Sequence, residues 1–122
     1  MPCGRCATHR GMDCLFCRIV AGAAPARRVF ESERVLAFED IHPQAPVHVL
    51  VVPKVHVESL WELDDPLLAG ELLVAAAEVA RLRSLSRGFR VITNARRDGG
   101  QEVEHLHLHV VGGRRLGRML GA

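Results

Sequence analysis

Three histidines stand at alternate positions late in the chain, His105, His107 and His109, within Gly99-Gly-Gln-Glu-Val-Glu-His-Leu-His-Leu-His-Val-Val-Gly-Gly113. A strand sends successive side chains to opposite faces, so this spacing lines up three imidazoles and puts Leu106, Leu108 and Val110 behind them. Rings spaced about 6–7 Å apart along one strand face cannot all be protonated at neutral pH, because each charge lowers its neighbours' affinity for a proton. At least one ring is expected to be neutral and nucleophilic, able to attack phosphorus. A protonated neighbour would then stabilise phosphoryl oxygens or protonate a leaving group. Gly99-Gly100 and Gly112-Gly113 flank the row and let backbone N–H groups approach an anion closely. His48 lies in the β-branched run 47–52 on the face of Leu50 and Val52, and joins the row if the two strands pair. Two other readings stay open. His-x-His on a strand offers neighbouring ligands to zinc, which would make a zinc-dependent hydrolase of His105, His107 and His109, and histidines also serve as ordinary core or surface residues.

Cysteine is the second unusual feature, with two C-x-x-C pairs, Cys3/Cys6 and Cys14/Cys17. A disulfide framework is not expected in a reducing compartment. Cys14 and Cys17, one helical turn apart, suit two thiolate ligands, whereas a structural zinc takes four ligands. Cys3, Cys6, Cys14 and Cys17 could form a knuckle of four thiolates with His9 in reserve, or remain thiols without metal. A redox role lacks the strand-helix setting it needs.

The elements that hold these residues follow from punctuation and periodicity. A helix over 14–21, capped by Asp13, turns Phe16, Ile19 and Val20 inward before Gly22 stops it. Strands 28–31 and 34–40 read as a hairpin joined at Ser32-Glu33, and two prolines make 40–46 a loop. Strand 47–52 closes at Pro53. Asp64-Asp65-Pro66 starts a long helix that runs through Leu85 to Gly88. Strands 89–94 and 104–111 flank the loop 95–101. The order predicts an α+β fold, a mainly antiparallel five-stranded sheet with one long helix and a short N-terminal one. At 122 residues, one domain over 12–122 is expected, with 1–11 a flexible extension and Met12 an alternative start. Sixteen basic against 14 acidic residues give a net charge of +2, too even a balance to point to nucleic acid. No apolar run suits a membrane span or signal peptide, so the chain is expected to be cytoplasmic.

The string from Gly99 to Arg114 resembles the signature of the histidine triad (HIT) family, His-x-His-x-His followed by two apolar residues. Phe38-Glu-Asp-Ile-His-Pro-Gln-Ala-Pro-Val-His48 and Val51-Val-Pro-Lys54 are similar to its upstream block, and Cys14-Leu-Phe-Cys-Arg-Ile19 to the opening of some members. The resemblance covers the chain from about Met12 onward and is greatest to the bacterial, Hint-like purine nucleoside phosphoramidase branch. It implies a HIT-like fold and a homodimer with sheets joined edge to edge and a long-helix contact. It also implies hydrolase or transferase activity on purine nucleoside 5'-phosphoramidates or aminoacyl adenylates, with AMP and GMP derivatives as ligands and no cofactor required. His107 would be the nucleophile that becomes nucleotidylated, His109 would contact phosphate oxygens, and His105 and His48 would complete the network. Asp40, with Ile41 beside it, would bind the ribose, and Asn94, Gly100, Gln101 and Glu102 would lie on the phosphate and leaving-group side. Phe16, Ile19, Phe38 and Leu50 would form an apolar slot for the purine. Glu102 departs from relatives that carry a hydroxyl donor there, since an ionised carboxylate only accepts; it would receive the leaving amine's proton or select a cationic amine, unless the backbone N–H donates instead. Relatives with this opening also suggest Cys14, Cys17, His56 and His105 as a structural zinc site. A different class remains, a purine-nucleotide-binding regulatory module whose turnover is incidental.

Overall fold

The computed structural model describes residues 14–120. The expected extension 1–11, the cap Asp13 and the Cys3, Cys6 and His9 ligand alternative lie outside them.

Five strands form one antiparallel sheet in the order β1-β2-β3-β5-β4: β1 Arg28–Glu31, β2 Val35–Glu39, β3 Val47–Pro53, β4 Phe89–Ile92 and β5 Leu108–Gly112. Both faces of the central strands are covered, which is why β2 and β3 read as nearly continuous apolar runs. Leu36, Phe38, Leu50 and Val52 face the short helix α1, Leu15–Val20, and pack with Phe16, Ile19 and Val20. Val35, Ala37, Val49, Val51 and Val110 face the long helix α2, Pro66–Leu82, and pack on Leu68, Leu72, Ala76 and Val79. Alternation therefore assigns one face to the long helix α2 and the other to α1 and the histidines.

α1 is capped by Cys14, whose Sγ accepts from the Cys17 N–H at 3.3 Å, a sulfur in the place usually taken by Ser or Asp. α2 starts as its sequence predicts: Asp65 accepts from the Leu68 N–H at 3.1 Å and Pro66 occupies the first turn, where its missing donor costs nothing. It ends three residues before Leu85. Ser84 takes a left-handed φ of 58°, and the Leu85 N–H returns to Ala80 O at 2.9 Å, which folds Leu85 into the core beyond the helix end. Gly88, at φ 128°, is thus a turn residue ahead of β4.

The last strand is shorter than expected. Residues 104–107 leave the ladder: the His105 N–H bonds to Val103 O at 2.8 Å, the Leu106 N–H to Val57 O at 2.6 Å, and Thr93 Oγ1 donates to His107 O at 2.8 Å. Leu106 still packs on the α2 side, so the in-out alternation survives without strand pairing. No helix among the described residues is long and apolar enough to cross a membrane.

Candidate active site and adjoining metal cluster

β3 and β5 pair so that His48 stands opposite Val111 and Leu50 opposite His109, which brings His48 beside the triple row. His107 precedes β5 and His109 lies on it, with ring centroids 5.0 Å apart.

Hydrogen bonds assign a tautomer to each ring. Nε2 of His105 lies 2.8 Å from Pro53 O; a carbonyl only accepts, so Nε2 carries the proton and Nδ1 the lone pair. His107 is the reverse, because its Nδ1 lies 2.7 Å from His105 O and must donate, leaving a lone pair on Nε2. The Gln44 N–H donates to His48 Nδ1 at 3.0 Å, so the His48 proton is on Nε2, which donates to His109 Nδ1 at 2.9 Å. His109 then keeps its own proton on Nε2. The middle ring alone offers an Nε2 lone pair, between neighbours that are Nε2–H donors.

Burial keeps the rings neutral. Desolvation pushes His105 down to about 4 and, with the adjacent His107 and His48, pushes His109 down to about 4. The expected protonated neighbour is therefore absent at neutral pH; a phosphoryl oxygen would meet an N–H dipole rather than an imidazolium. Burial also lowers His107, against the opposing pull of its hydrogen bond to His105 and the charges of Asp40 and Glu102, and it lowers His48, partly offset by Asp40. Asp40 Oδ2 lies 3.4 Å from His48 Nε2, and Oδ1 accepts from the His42 N–H at 2.8 Å.

Phe16, Ile19, Phe38 and Leu50 sit together in one buried cluster, with Phe16 edge-on to Phe38 and His107. Ile41 is 80% exposed beside Asp40, and Asn94 lines a cavity with His109. Gly100 has a left-handed φ of 80°. Gln101 is spent on its own loop: Nε2 donates to Glu58 O and Val103 O, Oε1 accepts from the Arg96 N–H, and the Gln101 N–H donates to Arg96 O. Its place at the site is to hold that loop. Sequence reasoning missed the backbone groups of Gln44 and Pro53, which leave no mark on side-chain patterns, and Arg90 and Arg114, which line the same cavity as His48 and His109 from distant positions.

His105 Nδ1 points into a second cluster. It lies 3.2 Å from Cys14 Sγ, 3.5 Å from Cys17 Sγ and 3.2 Å from His56 Nδ1, and Cys17 Sγ lies 3.3 Å from His56 Nδ1. Ligand atoms around one tetrahedral ion held by two sulfurs and two nitrogens would stand roughly 3.3–3.8 Å apart, so the buried Cys14, Cys17, His56 and His105 form a cysteine–histidine cluster able to hold a metal. The Pro53 carbonyl supplies the outer hydrogen bond that fixes a ligating imidazole. Cys17 takes part in a disulfide, contrary to the expectation that the cysteines are unbridged, and ligation through its sulfur requires the reduced form.

The reading of His105, His107 and His109 as ligands of one ion fails on this geometry, because His105 turns its lone pair toward the cysteines. Asp40, His48 and His109 also place three donor atoms within 4.8 Å of one another. There the Gln44 N–H keeps the proton on His48 Nε2, the atom that would have to ligate.

Residues 21–116 match the HIT domain family model. Protein HitA of Neisseria gonorrhoeae is 42% identical over 103 residues, covering 82% of this chain and 95% of HitA. A histidine triad protein from Clostridium difficile superposes with a TM-score of 0.84 at 44% identity, covering 88% of this chain and 96% of that one. A HIT family hydrolase from Legionella pneumophila does so at 0.85 and 43%, covering 88% and 99%. With the histidine row, the antiparallel sheet and these relatives in agreement, the chain belongs to the HIT, or histidine triad, family.

Proposed function

We propose that the protein is a nucleotide hydrolase or transferase that cleaves the P–N bond of purine nucleoside 5'-phosphoramidates, or the mixed anhydride of aminoacyl adenylates, with His107 as nucleophile. The observation that carries this reading is the 2.7 Å bond from His107 Nδ1–H to His105 O, which puts the reactive lone pair on Nε2 of the middle ring. Likeness to a HIT family hydrolase supports the reaction class.

His107 Nε2 forms a bond to phosphorus as the P–N bond breaks, and the amine leaves with the bonding pair and takes a proton from solvent. Water then attacks the nucleotidyl-histidine, the P–Nε2 bond breaks, and the proton taken in the first step is returned with release of the nucleoside monophosphate. His109 Nε2–H stabilises the phosphoryl oxygens in both steps. Asp40 accepts from the ribose hydroxyls beside Ile41, and the purine lies against the side of the site built on Phe16, Ile19, Phe38 and Leu50. Asn94, Gly100 and Glu102 flank the phosphate, with the Glu102 backbone N–H as the donor on that side.

Zinc is the ion proposed for Cys14, Cys17, His56 and His105. When bound it supplies a structural cross-link between α1, the segment after β3 and the segment before β5, and catalysis requires no metal. A second copy of the chain is the proposed partner. The β4 edge has no neighbouring strand among the described residues, and Leu67, Leu73 and Val74 on α2 are exposed, with Leu73 lining a cavity together with Val91 of β4.

Intact-protein mass spectrometry after rapid quenching with an adenosine phosphoramidate tests the mechanism. An AMP-sized addition mapped to His107 is expected. Turnover without an adduct would mean direct attack by water. Neither adduct nor turnover, with AMP still bound, would favour a nucleotide-binding regulatory module.

A further inference from the structure

Beside the histidine row, toward the β4 edge, lies a cavity of about 260 Å³ lined by His48, His109, Arg90, Arg114, Ile92 and Leu116 among others. No Asp or Glu lines it. Arg90 donates to the carbonyls of Gly117, at 2.7 Å, and Arg118, at 3.5 Å; Arg114 donates to those of Arg115 and Gln44, at 2.9 and 3.5 Å. Neither guanidinium has a carboxylate partner among the described residues, and each retains donors beyond these bonds. Arg114 also braces Gln44, whose N–H orients His48, so one wall of the cavity is tied to the catalytic relay.

We infer that this cavity is the leaving-group subsite and that it takes an amine bearing an anionic group, most simply an amino acid whose nitrogen is bonded to phosphorus and whose carboxylate meets Arg90 and Arg114. The inference rests on the P–N cleavage proposed above. His107 does not line the cavity but stands edge-on to Phe16, on the side given to the purine, whereas His48 and His109 do line it. His109, proposed above to meet the phosphoryl oxygens, lines the cavity, so a group leaving phosphorus beside that ring can enter it. Two uncompensated cations select an anion there, and Ile92, Val111 and Leu116 accommodate a short apolar body between nitrogen and anion. A cationic amine, which Glu102 alone would favour, would meet two like charges.

The test compares kcat/KM and calorimetric affinity for three adenosine 5'-phosphoramidates whose leaving amines are glycine, 2-aminoethyl phosphate and glycinamide. The full chain is used, as wild type and with Arg114→Gln, Arg90→Gln and Arg114→Lys. Both anionic compounds are expected to exceed the glycinamide compound by about tenfold in wild type, with the glycine compound foremost. The ratio should fall toward one in the Gln variants, recover in part in Arg114→Lys, and shrink with added salt. Foremost performance by the aminoethyl phosphate compound would assign the anion as a phosphoryl group and overturn the amino-acid assignment. Equal use of all three, or a ratio untouched by the Gln variants, would overturn the subsite and leave P–N cleavage standing. Should none be cleaved, the proposed reaction fails, while calorimetry still decides whether the cavity prefers the anion.

Discussion

Phe16 presents its ring edge-on to His107, the proposed nucleophile, with centroids 5.1 Å apart and planes at 89°, and His107 is only 6% exposed. Burial of this kind disfavours the imidazolium and keeps the Nε2 lone pair available near neutral pH. Phe16→Ala is expected to remove about 3–5 kcal/mol of stability and to move the acid limb of kcat/KM to higher pH. Denaturant unfolding and a pH–rate profile check both; an unmoved limb would mean that Phe16 acts by packing alone.

His107→Ala should cut turnover by roughly 10⁴-fold or more while AMP affinity changes little, because the reaction loses its nucleophile and the ground-state contacts remain. Single-turnover kinetics and calorimetric AMP titration measure the two separately. Retained turnover would dismiss covalent catalysis.

The pH dependence has a defined sign. His109 binds its proton at about 4 in the fold against the ordinary 6.5, so between these values the unfolded chain carries a proton that the native state excludes. Stability is full above pH 6.5, falls as pH drops toward 4, and levels off below. His109→Gln should flatten part of that slope in thermal midpoints recorded from pH 4 to 8. With His107 also held below its ordinary value, kcat/KM is expected to stay level through neutrality and decline below pH 6.5.

Metal content gives a separate check on the cysteine–histidine cluster. Reduced protein purified with zinc should hold one ion per chain, and Cys14→Ser or exhaustive chelation should remove it and lower the thermal midpoint by several degrees. Elemental analysis showing zinc that persists in Cys14→Ser, or none in the wild type, would dismiss this ligand set.

A methyl group at Gly99 would meet the Ala95 carbonyl oxygen at 2.5 Å and its nitrogen at 2.8 Å, backbone atoms that cannot swing aside. Gly99→Ala must therefore shift the loop 95–101 that Gln101 holds just before the histidine row in the chain. Activity is expected to fall about 10²-fold with far-UV circular dichroism unchanged.

Much of this protein is written locally. Periodicity and punctuation specify α1, α2 and the five strands, because amphipathic spacing, Pro66 at a helix start and the two prolines of 40–46 act over a few residues. The alternation of His105, His107 and His109 marks the candidate row for the same reason. The start of the last strand escapes such reading: residues 104–107 obey hydrogen bonds to Val57 and Thr93, partners outside any local window. What the tertiary structure alone decides is protonation. His105 and His48 carry the proton on Nε2 and His107 on Nδ1 because Pro53 and His105 present carbonyls and Gln44 an N–H to particular ring nitrogens, and backbone groups carry no side-chain code. Pairing of β3 with β5 places His48 beside His109, packing of α1 on the sheet turns His105 toward Cys14 and Cys17, and the C-terminal segment gathers Arg90 and Arg114 at one cavity. Those arrangements depend on residues up to 91 positions apart, where only the folded chain can set distance and orientation.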